Sequence, residues 1–213
     1  MTEVLITGPD RPRARLLLAH GAGAPMDSPF MNLIADLLAA RDITTLRFEF
    51  KYMASRRQGG TNRPPPKAET LLGEYRAAIA SVTGTTPLYI GGKSMGGRVA
   101  SMLADEAYAA GPIKGAVCLG YPFHPPNTPA TMRTAHLIEL RCPTLIIQGE
   151  RDPLGNRQEV EALAISSAIQ VVWSPDGDHD LGPRGASGFT RKGNLAAAAD
   201  SISQFLEDVA SRS

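Results

Sequence analysis

The stretch Pro87-Leu-Tyr-Ile-Gly-Gly-Lys-Ser-Met-Gly-Gly97 decides the fold. It begins with a short apolar run, passes through a glycine-rich turn that carries Ser94, and continues into a helix-like segment at residues 95–110. Residues 92–96 fit the pattern G-x-S-x-G, in which the serine lies on a sharp strand-to-helix turn and the glycines avoid Cβ clashes. The sequence therefore predicts a strand, a tight turn and a helix, with Ser94 as a candidate nucleophile.

The letters Gly92-Lys93-Ser94 also end a phosphate-binding loop motif, G-x-x-x-x-G-K-[ST]. That motif requires a glycine five residues before Gly92, where this chain has Pro87. A dinucleotide-binding pattern that begins at Gly21 fails in the same way, because Met26 stands where its third glycine is required. Spacing therefore excludes both nucleotide-binding interpretations.

Short β-like runs alternate with helix-like segments along the rest of the chain. Strands are predicted at residues 15–19, 43–50, 87–90, 115–121, 143–148 and 169–173, and helices at 28–41, 67–82, 95–110, 156–166 and 192–209. Alternation of this kind predicts right-handed βαβ units and a mostly parallel sheet. Several strands are apolar on consecutive residues, which is typical of a sheet covered by helices on both faces.

We therefore predict the α/β fold class: a three-layer α/β/α sandwich around a mostly parallel, doubly wound sheet. Residues 4–7 add a possible antiparallel edge strand. The chain shows no internal repeat and no linker, so residues 1–213 are expected to form a single domain.

Composition narrows the classes of partner. The 213 residues include 43% hydrophobic and 20% charged residues, and the net charge is +1. An even charge balance indicates neither nucleic acid nor an anionic membrane as a partner. The apolar runs are far shorter than the ~20 residues that a membrane helix needs, and residues 1–15 do not resemble a secretory signal. We expect a cytoplasmic protein that acts on a small molecule; the sequence leaves its oligomeric state open.

The cysteines give no sign of a metal site or a disulfide scaffold. Cys118 and Cys142 stand in or beside apolar runs, without CxxC or cysteine-histidine spacing. We expect both to be small buried side chains, and we predict neither a metal nor a cofactor.

Candidate partners for Ser94 follow later strands. A serine needs a general base, and one known arrangement has the chain order serine, acid, histidine, each after a strand. Asp152 follows the strand at 143–148, and His179 follows the strand at 169–173. His179 is thus the predicted base, and Asp152 the acid that orients it. Other acids near these positions stay open as alternatives: Glu150, Asp176, Asp178 and Asp180.

Two backbone N–H groups are candidates for stabilising an oxyanion. The first belongs to Met95, directly after the nucleophile. The second is expected from the loop His20-Gly-Ala-Gly23, with Ala22 preferred and Gly23 in reserve. We expect His20 itself to be structural.

These motifs together resemble the α/β-hydrolase superfamily over nearly the whole chain. They are His20-Gly-Ala-Gly23, Gly92-Lys-Ser-Met-Gly-Gly-Arg98, Gly120-Tyr-Pro-Phe-His-Pro-Pro126, Gly149-Glu-Arg-Asp152 and Asp178-His179. More narrowly, the chain is similar to a small lidless subgroup of dienelactone-hydrolase-like proteins, testis-expressed hydrolase-like proteins and the hydrolase-like domain of a chromatin-complex subunit. A dienelactone hydrolase proper usually carries cysteine at the nucleophile position, where this chain has Ser94.

The resemblance implies a serine hydrolase without a cofactor. We expect hydrolysis of a small ester or thioester through an acyl-Ser94 intermediate. The short interval at residues 121–141 leaves little room for a lid, so an open site is expected. The alternative is a catalytically silent α/β-hydrolase-like module for binding or scaffolding.

Two features are candidates for substrate binding. Residues 51–67, predicted as a loop, carry Arg56 and Arg57 among five basic residues and no acid. Such a loop either attracts a carboxylate or phosphate of the substrate or is simply solvated. His124, at another strand end, is a candidate pocket residue or a structural one.

Overall fold

The computed structural model describes residues 4–60 and 64–212. The strands are β1 (Val4–Thr7), β2 (Ala14–Ala19), β3 (Ile43–Phe48), β4 (Leu88–Lys93), β5 (Ala116–Leu119), β6 (Thr144–Gly149) and β7 (Ile169–Ser174). The α-helices are α1 (Pro29–Ala39), α2 (Lys51–Arg57), α3 (Leu72–Ser81), α4 (Met95–Ala109), α5 (Arg157–Glu161) and α6 (Arg191–Ser211). Short 3₁₀ helices occupy Ala68–Leu71 and Ala135–Leu137.

The strands form one seven-stranded sheet in the order β1-β3-β2-β4-β5-β6-β7. Strand β1 is antiparallel to β3, and the other pairs are parallel. This arrangement confirms the predicted mostly parallel sheet and its antiparallel edge strand. Because β4 lies at the centre, Ser94 follows a strand that is held on both sides.

Helices pack on both faces of the sheet, which confirms the three-layer prediction. Successive residues of β2 illustrate this: Leu17 packs in the core under α3 and α4, and Leu16 and Leu18 pack in the core under α1 and α6. Both cores are apolar, and Cys118 and Cys142 are buried as free thiols whose pKa burial raises to about 12.

Two element predictions need correction. The segment at 51–67 is not wholly a loop, because Lys51–Arg57 forms α2, and residues 61–63 lie outside the described residues. Met53 anchors this short helix by burying its side chain, and the first N–H, that of Lys51, donates to Glu74 Oε2 at 2.7 Å because Phe50 at the N-cap position has no polar side chain. The predicted helix at 156–166 is only the five residues of α5, which begin with an Asn156 capping box and bury only Val160.

The connection between β5 and β6 contains the 3₁₀ helix Ala135–Leu137 and otherwise irregular backbone. It forms no separate layer over the sheet edge, in agreement with the predicted absence of a large lid. Within the described ranges, no helix has both the length and the apolar character needed to cross a membrane.

Candidate active site

Ser94 lies on the turn between β4 and α4. Its backbone has φ 50° and ψ −116°, a conformation that non-glycine residues seldom adopt. The turn is packed so closely that a Cβ on Gly92 would lie 2.5 Å from the Ala19 carbonyl oxygen, and one on Gly96 would lie 2.4 Å from it. The two glycines of G-x-S-x-G are therefore needed for close approach to β2.

Three side chains form a continuous hydrogen-bonded chain at this edge. His179 Nε2 lies 2.9 Å from Ser94 Oγ, and His179 Nδ1 lies 2.8 Å from Asp152 Oδ2. The residues come from three separate strand ends, after β4, β6 and β7. An imidazole held between a hydroxyl and a carboxylate can take the hydroxyl proton and remain oriented by the acid.

Asp152 is fully buried, and each of its oxygens has a further donor. Gln148 Nε2 donates to Oδ2 at 2.9 Å, and the Leu154 backbone N–H donates to Oδ1 at 2.8 Å. Because donors favour the charged form of a carboxylate, these bonds offset the cost of burying it.

The four alternative acids have other partners. Glu150 pairs with Arg157, Asp176 with Arg151 and Arg184, and Asp180 with Lys93, while Asp178 accepts N–H groups from residues 180 and 182 of its own loop. Only Asp152 among the acids in the described ranges bonds to His179.

Lys93 links the Ser94 turn to the loop after β7 that carries His179, which we call the histidine loop. Its ammonium donates to the His179 carbonyl oxygen at 2.8 Å and pairs with Asp180 at 3.1 Å, and it stands 5.4 Å from the ring centre of Phe30. The side chain is 8% exposed, and burial lowers its pKa. The residue directly before the serine therefore holds the backbone of the histidine.

The loop after β2 is fixed by side chains beneath it. His20 is buried; its Nδ1 contacts the Gly21 carbonyl oxygen at 2.6 Å, and its Nε2 accepts from the Phe50 N–H at 3.2 Å. Tyr52 donates to the Ala22 carbonyl oxygen at 3.0 Å. Since C=O and N–H point in opposite directions in a trans peptide, the Ala22 N–H points away from the His20 ring.

Two cavities open at Ser94 and share Ala22. The larger, about 730 Å³, also contacts Met95. Much of its lining belongs to residues 122–137, which we call the wall segment: Pro122, Pro125, Pro126, Thr131, Met132 and Arg133. The smaller, about 450 Å³, includes Gly23, Phe30 and His179. Bound groups on either side of the serine would thus have separate space.

The sequence model of a family described as an alpha/beta hydrolase domain matches residues 12–207. The chain belongs to this family. Similar solved structures include a dienelactone hydrolase from Anabaena variabilis, with 20% identity, a TM-score of 0.74 and coverage of 97% of this chain and 91% of that one. An alpha-beta serine hydrolase homologue from Coxiella burnetii has 18% identity and a TM-score of 0.71, covering 96% and 91%.

A serine hydrolase without a lid from Xanthomonas campestris is also similar, with 18% identity, a TM-score of 0.68 and coverage of 97% of this chain and 88% of that one. At these identities the structural likeness establishes the fold. Membership of the alpha/beta hydrolase family supports a hydrolase activity for this chain. Among the residues described for this alpha/beta hydrolase, no group of three or more His, Cys, Asp or Glu side chains is placed to hold a metal ion.

The end of the predicted substrate-binding segment at 51–67 reaches the larger cavity through Pro65, Pro66 and Lys67. The other candidates lie elsewhere in this alpha/beta hydrolase. Arg57 forms ion pairs with Asp27 and Glu49, and Arg56 stands over the ring of Tyr52; neither lines the two cavities at Ser94. His124 is buried, with Nδ1 2.9 Å from the Pro125 carbonyl oxygen, and it does not line them either.

Sequence reasoning missed several residues that support or line the site. Gln148 is predicted only as the last residue of a strand, although a polar side chain at the end of an apolar strand indicates that it has a buried partner. Tyr52 and Arg133 carried no local signal, because their positions depend on contacts between distant parts of the chain.

Proposed function

We propose that this alpha/beta hydrolase cleaves a small ester or thioester through an acyl intermediate on Ser94. The observation that carries the proposal is the hydrogen-bonded chain from Ser94 through His179 to Asp152, at 2.9 Å and 2.8 Å. Ser94 also opens into two cavities, as a nucleophile that must meet an acyl group and a leaving group requires.

In the proposed reaction, His179 removes the proton of Ser94 Oγ as this oxygen attacks the substrate carbonyl carbon. Asp152 orients the imidazole and stabilises the imidazolium that forms. Collapse of the tetrahedral intermediate breaks the bond to the leaving alcohol or thiol, which takes the proton from His179. A water molecule, activated by the same histidine, then attacks the acyl group and releases the acid and free Ser94.

The negative oxygen of the intermediate needs donors that are already in place. We assign these to the backbone N–H groups of Met95 and Ala22, with Gly23 as the reserve. Met95 follows the nucleophile at the start of α4, where N–H groups lack helical partners. The His20 contact that turns the Ala22 N–H away from its ring supports the second assignment.

The deciding experiment is incubation with a fluorophosphonate probe, followed by intact-mass measurement. We expect one adduct on the wild-type protein, none on Ser94→Ala, and greatly slowed labelling of His179→Ala. Ser81→Ala is the matched control, because Ser81 is an exposed serine at the end of α3. A folded wild-type protein that takes no adduct would overturn the proposal and favour the non-catalytic binding module.

A further inference from the structure

The larger cavity at Ser94 carries an excess of positive charge. Its ionisable lining consists of Lys67, Arg98 and Arg133 with a single acid, Glu69. Glu69 is already engaged, because its Oε1 lies 2.6 Å from Arg98 Nη2. One acid thus faces three cations in a cavity whose other lining is mainly proline, alanine, methionine and leucine.

Lys67 and Arg133 form no ion pair in the described ranges; Lys67 is exposed, whereas Arg133 is partly buried. No carboxylate pairs with its guanidinium among residues 4–60 and 64–212. Its backbone is nonetheless held on both sides: the Arg133 N–H donates to the Phe123 carbonyl oxygen at 2.7 Å, and its own carbonyl oxygen accepts from Tyr121 Oη at 2.9 Å. These two bonds hold the backbone that carries the guanidinium in place in the cavity wall.

The neighbourhood of Arg133 makes its charge costly. The residue is partly buried, and this burial together with the nearby Arg98 charge lowers its pKa. A guanidinium stays protonated in proteins, so Arg133 cannot become neutral. Its charge is therefore destabilised by loss of hydration and by repulsion from Arg98. Arg98 also has an unsatisfied hydrogen-bond donor, because its Nε is buried without a partner in the described structure.

An anion placed in this cavity would relieve these costs. Guanidinium groups bind carboxylates through parallel N–H donors, and such charged bonds are stronger than neutral ones. The apolar remainder of the lining suits a short hydrocarbon segment rather than a second charge. A ligand with a carboxylate at one end and a cleavable ester at the other matches this distribution.

We propose that Arg133, assisted by Arg98, selects esters that carry a carboxylate on their acyl portion. The inference rests on the proposed serine-hydrolase function, and it names the substrate class of that site. Arg133 acts as a specificity-determining residue: it binds the remote carboxylate and takes no part in proton transfer at Ser94.

Two measurements test the inference. The first compares kcat/KM for 4-nitrophenyl hydrogen glutarate with that for its neutral methyl ester. We expect the wild-type protein to prefer the anionic ester by about tenfold or more, and Arg133→Gln to lose about 10- to 100-fold on that ester while changing less than twofold on the neutral one. Arg133→Lys keeps the positive charge but lacks the parallel N–H donors of the guanidinium, and it should recover part of the preference.

The second measurement is calorimetric binding of monoethyl glutarate to Ser94→Ala protein, with and without Arg133→Gln. It needs no turnover, so it separates this inference from the proposed function. One possible outcome is that the wild-type protein neither hydrolyses ester nor reacts with the fluorophosphonate, while the half-ester still binds through Arg133. This outcome would overturn the proposed function but not the binding of the carboxylate by Arg133. Arg133→Gln should slow labelling by the neutral fluorophosphonate far less than it slows turnover of the anionic ester.

Arg141→Gln is the matched control, because Arg141 is exposed and lies outside both cavities. Equal wild-type rates on the two esters, or half-ester binding that Arg133→Gln leaves unchanged, would overturn the inference. If Arg133→Gln fails to fold, the wild-type ester preference and the Arg133→Lys variant decide the same question.

Discussion

The Ser94 turn at residues 92–97 and the wall segment at 122–137 line the same cavity, but they are built in opposite ways. In the turn, backbone packs against backbone, and a Cβ on Gly96 would lie 2.4 Å from the Ala19 carbonyl oxygen. In the wall segment, residues 126–132 are exposed, and Met132 is 39% exposed. The turn therefore fixes the position of the reacting atom, whereas the wall segment decides what can bind beside it.

Gly96→Ala should break the turn and have the largest effect. The added Cβ would approach two backbone oxygens, those of Ala19 and His20 at 2.4 Å and 2.6 Å, so β2 or α4 must move. We expect a loss of about 3 kcal/mol in the free energy of unfolding, measured by urea denaturation, together with loss of fluorophosphonate labelling.

Gly185→Ala is the control, because no atom lies within 4 Å of the position of its Cβ. Its stability should change by no more than about 0.5 kcal/mol. If Gly96→Ala matched this control in stability and labelling, the close packing of the turn would not be a requirement.

This difference also explains how much the sequence could predict. The strand, turn and helix around Ser94 could be predicted because glycine spacing and apolar runs report local backbone geometry. Asp152 and His179 could be predicted as candidates because parallel strands end at one sheet edge, so chain order translates into position.

Positions that depend on pairing between distant residues could not be predicted. The ion pairs that draw Arg57 to Asp27 and Glu49 leave no mark in residues 51–67. The helix Lys51–Arg57 could not be predicted either, because the residue at its N-cap position, Phe50, has no polar side chain. The residues around Arg133 do not predict its place in the cavity lining, because its backbone is held there by hydrogen bonds with Tyr121 and Phe123.

Lys93→Met should separate the reactivity of the turn from its stability. The methionine fills similar space but cannot donate to the His179 carbonyl oxygen or pair with Asp180. Because small displacements of a catalytic group cost large factors in rate, we expect fluorophosphonate labelling to slow by about 10- to 100-fold. Intact-mass time courses measure the rate, and urea denaturation verifies that the protein is folded.

Lys192→Met is the matched control, since Lys192 is an exposed lysine in the first turn of α6. Its labelling rate should equal that of the wild-type protein. Unchanged labelling of Lys93→Met would show that the histidine loop is held without the ammonium.

Ser94→Gly and Ser94→Ala should reveal the strain in the turn. Both variants lack the hydroxyl, but only alanine keeps a Cβ at φ 50° and ψ −116°. We expect Ser94→Gly to be more stable than Ser94→Ala by about 1 kcal/mol in urea denaturation. At Ser201, inside α6, the order should reverse, because glycine is about 1 kcal/mol less favourable than alanine in a helix. If Ser94→Ala were more stable than Ser94→Gly, as alanine is expected to be at Ser201, the backbone of Ser94 would store no strain.

His136 provides the smallest test, and it lies in the wall segment. Burial, followed by the charge of Arg98, lowers the pKa of His136 from 6.5 to about 4. Between these values the unfolded chain binds a proton that the native protein does not, so stability falls as pH drops from about 6.5 to about 4. His136→Gln removes this titration, and glutamine can still bond to Ser101, which lies 2.9 Å from His136 Nε2.

We therefore expect the wild-type protein to lose more unfolding free energy than His136→Gln when the pH is lowered from 7 to 4.5. Urea denaturation at intervals across this range measures both curves, and the titrations common to the two proteins cancel in their difference. His20, whose pKa burial also lowers, is one of these common groups. The effect is small because His136 is only partly buried and solvent screens its charge. Parallel curves would mean that the wall segment accommodates the protonated ring, and that it is looser than the Ser94 turn even where its side chains are covered.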